Sequence, residues 1–261
     1  MTGPRFAAKK RLGQHFLVDE NLLGVIGRLA DLGSDDCVLE IGPGLGVLTA
    51  YLAKRVAHVD AVELDRRLEP RLLERLSGRE NVSLHFGDAL ALDLAKLAPA
   101  AAKLVANLPY NIATPLIVES LDGLPQIELW CVMVQREVAD RLFASPGSKA
   151  YGAVSVLVQL ATEKRGFHPV SREAFRPRPR VESALVAFER RPLPEGFARI
   201  KRLVVAAFAH RRKTLANSLA ISGLVSREEA EAMLEQIGRD QRIRAEALAP
   251  AEFAALAEVL P

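Results

Sequence analysis

Four short breaks in otherwise apolar runs carry residue types that could do chemistry. The first is Gly42-Pro43-Gly44-Leu45-Gly46, which follows Val38-Leu39-Glu40-Ile41. Glycines there permit positive φ and let a ligand approach the backbone closely. A helix starting after them would aim its first N–H groups at that ligand. A dinucleotide fingerprint needs G-x-G-x-x-G, and Val47 stands where its third glycine would be, so the usual pyrophosphate site is not matched. The second is Glu63, whose two acceptor oxygens suit a vicinal diol such as that of ribose. The third is Asp88, which follows Gly87 and could accept from the exocyclic amine of adenine. The fourth is Asn107-Leu108-Pro109-Tyr110. An amine conjugated to a purine is a poor nucleophile. The Asn107 side-chain oxygen and the Leu108 carbonyl could hold its hydrogens and aim its lone pair, while Pro109 stiffens the turn and Tyr110 offers a stacking face. Taken singly, each group also reads as an ordinary turn, helix cap or surface acid.

The elements around them decide between these readings. Strand patterns fall at 36–41, 58–63, 81–86, 103–106 and 128–134, and helical patterns at 20–31, 46–55, 65–76, 112–121 and 136–143. Their alternation predicts a parallel sheet with helices on both faces. Such sheets bind ligands beyond the carboxyl ends of their strands. Each of the four groups follows a strand, so all four should face one crevice. Residues 152–162 suit a helix, and 181–190 reads as a late strand that could run antiparallel. Pro192 and Pro194 mark a linker. Helical patterns at 197–209, 211–220, 226–237 and 250–259 then predict a small helical domain.

Of 261 residues, 49% are hydrophobic, enough for a sizeable core. Cys37 and Cys131 lie in apolar runs and read as core residues, and the five histidines show no ligand spacing, so no metal site is expected. The first residues lack a signal-peptide pattern and no apolar run is long enough to span a bilayer. The expectation is a soluble cytoplasmic protein, with nothing demanding more than a monomer. The net charge of +3 is unevenly spread. Arg5, Lys9, Lys10 and Arg11 precede the first acidic residue, and no acid falls between Glu195 and Glu228, where Arg211, Arg212 and Lys213 lie. Phe175-Arg176-Pro177-Arg178-Pro179-Arg180 is stiffened by two prolines and carries an aromatic among three arginines. Basic clusters interleaved with aromatics point to a nucleic acid partner. A base out of its stack could sit between Tyr110 and Phe175.

Gly42 to Gly46 behind an acidic strand residue resembles the first motif of methyltransferases that use S-adenosyl-L-methionine, and Asn107 to Tyr110 resembles the motif of those acting on nucleobase amines. Together with Lys10-Arg11-Leu12-Gly13-Gln14-His15-Phe16-Leu17, Phe175 to Ser183 and Arg211-Arg212-Lys213-Thr214-Leu215, they are similar to the KsgA/RsmA family, the dimethyladenosine transferases of small-subunit ribosomal RNA. The resemblance implies an α/β Rossmann-like class I methyltransferase fold. It has a mostly parallel seven-stranded sheet over residues 1–191 and a small all-α RNA-binding domain over 192–261. It implies N6,N6-dimethylation of two adjacent adenines in a hairpin loop near the RNA 3′ end, on a pre-30S particle, with S-adenosyl-L-methionine as donor and no metal. By position, His15, Leu17, Gly42, Gly44, Glu63, Asp88 and Asn107 would hold the donor. Asn107, Leu108, Pro109, Tyr110 and Phe175 would form the methyl-transfer site. Lys10, Arg11, Arg176, Arg178, Arg180, Arg211, Arg212 and Lys213 would contact RNA. The nearest rival is an Erm-like enzyme of large-subunit RNA. The G-Q-H-F-L arm, N-L-P-Y and the R-R-K-T-L run favour the small subunit. A non-catalytic RNA-binding factor on the same fold is the alternative of a different class.

Neutralising Arg211, Arg212 and Lys213 together is expected to weaken RNA binding and to flatten the log–log salt dependence by about 2 to 3, since each phosphate contact contributes roughly 0.7–0.9. Binding titrations over a salt series measure this, and an unchanged slope would refute a role in RNA contact.

Overall fold

A computed structural model describes residues 14–261. In chain order the elements are β1 (Phe16–Leu17), α1 (Asn21–Leu29), β2 (Cys37–Ile41), α2 (Val47–Leu52), β3 (His58–Glu63), α3 (Glu69–Arg75), β4 (Val82–Phe86), α4 (Leu94–Leu97), β5 (Lys103–Asn107) and α5 (Ala113–Gly123). They continue with β6 (Leu129–Gln135), α6 (Arg136–Leu142), α7 (Ala153–Ala161), β7 (Thr162–Val170), β8 (Phe175–Arg176), β9 (Ser183–Arg190), α8 (Phe197–Phe208), α9 (Leu215–Ile221), α10 (Arg227–Gln236) and α11 (Pro250–Glu258). The chain divides into two compact units. Residues up to Ala139 with Lys164–Arg190 form the first, and Asp140–Glu163 with Arg191–Pro261 form the second.

The first unit is built on a seven-stranded sheet in the order β4-β3-β2-β5-β6-β9-β7. β2 pairs in parallel with β3 and β5, β3 with β4, and β5 with β6, while β9 runs antiparallel to β6. Parallel strands covered on both faces must be apolar throughout, and Trp130 to Val134 of β6 are all buried. β4, at one edge, is only half-buried along its length. Leu22, Leu23 and Ile26 of α1 and Leu48 and Leu52 of α2 bury against strand residues Val38, Val59 and Val105. Leu68, Leu72 and Leu76 form a second cluster with Phe16.

A buried polar knot closes the β6 side of this sheet. Trp130 is fully buried, stacks on Phe188 of β9 at 5.4 Å, and donates from Nε1 to Ser120 Oγ at 2.9 Å. The Arg190 guanidinium lies 4.9 Å from the Trp130 ring and donates to the carbonyls of Leu121 and Leu124 at 2.8 Å and to that of Ile127. Carbonyls at a helix end lack partners of their own, so one side chain satisfies the end of α5 and the turn after it.

The second unit is helical. α7 belongs to it rather than to the sheet, packing with α8 and α11. Tyr151, fully buried, donates from its hydroxyl to Leu248 O at 2.8 Å and meets Phe208 edge-on, which in turn contacts Phe253. α10 begins at a reciprocal cap, with Ser226 Oγ accepting from Glu229 N and Glu229 Oε2 accepting from Ser226 N. A single boundary at 191/192 therefore misses residues 140–163. Among the described residues no helix is long and apolar enough to cross a membrane.

Replacing Arg190 with Met strands the carbonyls it bonds, at about 1–3 kcal/mol for each buried group left unpaired. With three carbonyls stranded, a loss of roughly 3 kcal/mol or more is expected in urea unfolding, and a loss below about 1 kcal/mol would show that the fork contributes little.

Candidate active site

Strand order reverses at β2, which has β3 on one side and β5 on the other. The turns leaving β2 and β5 therefore open side by side at the carboxyl end of the sheet, the usual place for a ligand in such folds. A pocket opens there, lined by His15, Leu17, Gly42, Gly44, Glu63, Asp88 and the run Asn107 to Tyr110. Ten predicted site residues from five separate stretches thus converge on one cleft.

On the β2 side, Gly42 has φ 76° and its N–H donates to Val62 O at 2.9 Å. A Cβ there would lie 3.1 Å from the Pro109 ring. Gly44 has φ 58°, and a Cβ on it would lie 2.9 Å from the Phe16 ring. Only glycine suits both the positive φ and the space. The Gly44 N–H donates to Glu63 Oε2 at 3.0 Å and the Asp65 N–H donates to Glu63 Oε1 at 2.8 Å. Each Glu63 oxygen is thereby fixed and keeps one lone pair. Burial pushes this carboxyl up, and the two N–H groups pull it back. Asp65 is gripped by Arg67 and accepts from Gln14, and the Arg67 hydrogen bond chiefly holds it well below the usual carboxylate range. Asp88 is exposed, lines the cleft, and accepts from Leu90 N through Oδ1 at 3.0 Å.

The β5 side is held by a two-residue strand pair. β1 runs antiparallel to β8, Phe16 opposite Arg176 and Leu17 opposite Phe175, and Val18 N donates to Ala174 O at 2.9 Å. This places the His15 carbonyl to accept from Asn107 Nδ2 at 3.0 Å. A carbonyl can only accept, so the amide nitrogen must face it and Asn107 Oδ1 is the atom left for a ligand N–H. His15 Nδ1 is 2.7 Å from Pro177 O, which assigns the proton to Nδ1 by the same reasoning. The His15 ring lies 5.2 Å from that of Tyr110, tilted by 34°. The Tyr110 hydroxyl is hydrogen-bonded to the buried Ser183 Oγ, and burial raises its pKa.

Some expected residues lie elsewhere. Phe175 is fully buried in the core with Leu17 and does not line the cleft. Its ring thus offers no open stacking face, because pairing with β1 turns it inward. Arg176, at the end of β8, and Arg178 and Arg180, on the loop that follows, are exposed; Arg178 pairs with Glu173 at 2.7 Å and Arg176 donates to the Glu173 and Phe175 carbonyls. Arg211, Arg212 and Lys213 are exposed in the second unit, where Arg211 donates to the Lys149 and Tyr151 carbonyls. Lys10 and Arg11 lie outside the described residues. Among the described residues no three His, Cys, Asp or Glu side chains converge as a metal site.

The structure adds Glu40, Gln14 and Ser183 to the site. Glu40, 1% exposed in the middle of an apolar strand, lines the cleft. The sequence signal for it was plain, a lone carboxylate inside V-L-E-I, since such groups are almost never fully buried without a partner. Burial pushes Glu40 up to about 8; the Glu63 charge adds to this, and the nearby Thr49 hydroxyl offsets part of it without a hydrogen bond of regular geometry.

The sequence model of the family described as ribosomal RNA adenine dimethylase matches residues 5–260. The ribosomal RNA small subunit methyltransferase A of Rubrobacter xylanophilus is 49% identical over 249 residues, covering 95% of this chain and 93% of that protein. Its namesake from Pelotomaculum thermopropionicum is 46% identical, covering 96% and 90%. The crystal structure of a dimethyladenosine transferase from Plasmodium falciparum superposes with a TM-score of 0.77 at 26% identity, covering 93% of this chain and 96% of that one. That of the 23S rRNA methyltransferase ErmE gives 0.67 at 30% identity, covering 94% and 99%.

A carboxyl whose pKa rises from 4.5 to about 8 on folding makes the native state bind more protons than the unfolded state between those values. Its stabilising share is therefore complete below about pH 4.5 and is lost as pH climbs through about 8. Glu40→Gln removes the loss. Relative to the original protein, the variant should gain on the order of a few kcal/mol between pH 5 and pH 8.5 in urea unfolding. An equal difference at both pH values would contradict a buried, proton-bearing Glu40.

Proposed function

Because the chain belongs to the ribosomal RNA adenine dimethylase family, we propose that it transfers methyl groups from S-adenosyl-L-methionine to N6 of two adjacent adenines in the hairpin loop near the 3′ end of small-subunit ribosomal RNA. The observation that carries this is the pairing of two committed side chains across one cleft. Glu63 has both oxygens fixed by backbone donors, and Asn107 has its amide nitrogen fixed by the His15 carbonyl.

The cleft suits the donor, since its glycines leave room against the backbone and Glu63 keeps a lone pair on each oxygen for the ribose diol. Asp88 Oδ2 suits the exocyclic amine of the donor's adenine. When bound, the donor supplies a methyl group on a positively charged sulfur. Asn107 Oδ1 and the Leu108 carbonyl accept the two hydrogens of the target amine, which turns its lone pair toward that methyl. The new N–C bond forms as the C–S bond breaks, its electron pair staying on sulfur. The alkylated nitrogen is then acidic and loses a proton to water, so no strong base is needed. The same two acceptors can seat the monomethylated amine with one hydrogen for a second round. Most of the catalysis asked of the protein is therefore orientation. Tyr110, held by Ser183 and backed by His15, stacks on the extruded base. Arg176, Arg178, Arg180, Arg211, Arg212, Lys213 and, ahead of the described residues, Lys10 and Arg11 take RNA phosphates. A monomer acting in the cytoplasm on a pre-30S particle fits this reading. Similarity to ErmE over nearly the whole chain favours large-subunit RNA as the second target class.

Incubation with labelled donor and undermethylated small subunits, followed by mass spectrometric mapping, tests the reading. Dimethyladenosine at adjacent 3′-end adenines is expected, falling by about 100-fold or more in Asn107→Ala, the cost of losing orientation at the reacting atom. Label in large-subunit RNA would move the target, and RNA binding without transfer to any RNA would leave a binding factor.

A further inference from the structure

The outer side of the glycine turn carries a second, basic cleft. Leu45, Arg71, Glu74 and Arg75 line it, and Leu45 also lines the first cleft, so one residue separates the two. From residue 66 to residue 79 five arginines, Arg66, Arg67, Arg71, Arg75 and Arg79, stand against Glu69 and Glu74. Leu68, Leu72 and Leu76 bury one stripe of this segment with Phe16. Arg71 and Arg75 each stand one position before a buried leucine, a turn apart, so they are neighbours on one flank of that stripe. Gly46, with φ 73°, lets α3 lie close, since a Cβ there would sit 3.2 Å from Arg75 Cδ. The aliphatic stem of Arg75 is thereby laid against the turn while the residue stays exposed, so its charged head reaches solvent. Like charges at this spacing repel, and among the described residues Glu74 is the one acid lining the cleft. The cleft therefore keeps an excess of positive charge. Arg66 and Arg67 extend that charge toward β3. Arg66 lies 5.4 Å from the Phe86 ring, and Arg67 is bonded to Asp65, which also accepts from Gln14. The sequence places Lys9, Lys10 and Arg11 a few residues ahead of Gln14.

Several guanidinium groups along one helix edge suit a chain of regularly spaced anions better than a single anion, because each phosphate contact adds its own share of affinity. β1 lies between this group and the other basic stretch of the first unit. Phe16 packs on the α3 leucines and is in register with Arg176 of β8. A strand laid over β1 meets arginines on both sides, Arg71 and Arg75 beyond Phe16, and Arg178 and Arg180 beyond Arg176. Granting the methyltransferase reading, we infer that Arg71 and Arg75 grip the RNA phosphate backbone beside the base that enters the first cleft. The planar forks of the two side chains match phosphate oxygens in pairs. The glycine turn then works on both faces, with the donor inside it and RNA outside.

Binding of the full chain to protein-free small-subunit RNA over a salt series reads the contact. Arg71→Gln combined with Arg75→Gln removes both charges and keeps most of both stems. The log–log slope should flatten by about 1.4–1.8, from roughly 0.7–0.9 per phosphate contact, and affinity at 0.1 M salt should fall at least about tenfold. Binding of S-adenosyl-L-methionine, read by calorimetry, should be unchanged. Arg71→Lys combined with Arg75→Lys keeps the charges and should retain the slope. An unchanged slope in the glutamine variant would overturn the inference, as would donor binding lost together with RNA binding, the mark of a disturbed turn. Weaker binding to whole small subunits with an unchanged slope on protein-free RNA would put a ribosomal protein on this surface and overturn it too. Should the double variant fail to fold, Glu74→Gln serves instead. Removing the acid beside the two arginines should tighten RNA binding at low salt, and equal or weaker binding would overturn the inference. Transfer to no RNA by the original protein would sink the methyltransferase reading, and the salt slope would still decide the contact.

Discussion

The Pro109 ring occupies the space that a side chain at Gly42 would need, 3.1 Å from the ideal Cβ position. The cleft of the first unit depends on that close approach of ring to backbone. It packs the turn leaving β2 against the turn leaving β5, where strand order reverses between β3 and β5. On the proposed reading the two turns serve different partners, a donor over the glycines and an acceptor amine over Asn107. Their separation is thus set by packing between a ring and a backbone, with no rotatable side chain in between. Packed interiors resist such displacement, so the transfer distance is built into the sheet.

The two sides are held by unlike means. Glu63 is oriented by backbone N–H groups of the Gly44 turn and of Asp65, which cannot move without the sheet. Asn107 is oriented by the His15 carbonyl, delivered by the short β1–β8 pair. Two residues per strand is a marginal ladder by itself, and burial of Leu17 and Phe175 in the core anchors it. The Asn107 side therefore rests on the weaker element, which under the proposed function would suit a partner as large as RNA that must enter and leave.

Much of this was legible in the sequence. Alternating apolar strands and helices announced the parallel core, and placing polar groups after strands predicted one cleft, because strand direction fixes where the loops emerge. β7 escaped, since Thr162–Val170 mixes Glu163, Lys164, Arg165 and His168 with little alternation, and its half-exposed surface carries no period-two signal. Phe175 was read as a stacking face; nothing in a Pro-Arg-rich loop betrays that a strand of two residues will turn its aromatic inward. Glu40 reads in the sequence only as an acidic strand residue before the glycines; its full burial beside Glu63 shows only in three dimensions. The membership of α7 was illegible for a related reason. Val156, Leu157, Val158 and Ala161 are all buried, and a helix so apolar does not say which neighbours cover it.

That discontinuous second unit bears on synthesis. The chain enters it at Asp140, leaves at Glu163 and returns at Arg191. α7 therefore emerges from the ribosome well before α8 and α11, the helices that bury it. At about 5–20 residues per second, an apolar helix waits several seconds for its cover. The strands β7 and β9, made in the interval, complete the sheet first. The nascent protein thus passes through a stage in which its sheet is finished while α7 remains a sticky surface, a natural handle for chaperones that guard unfinished chains.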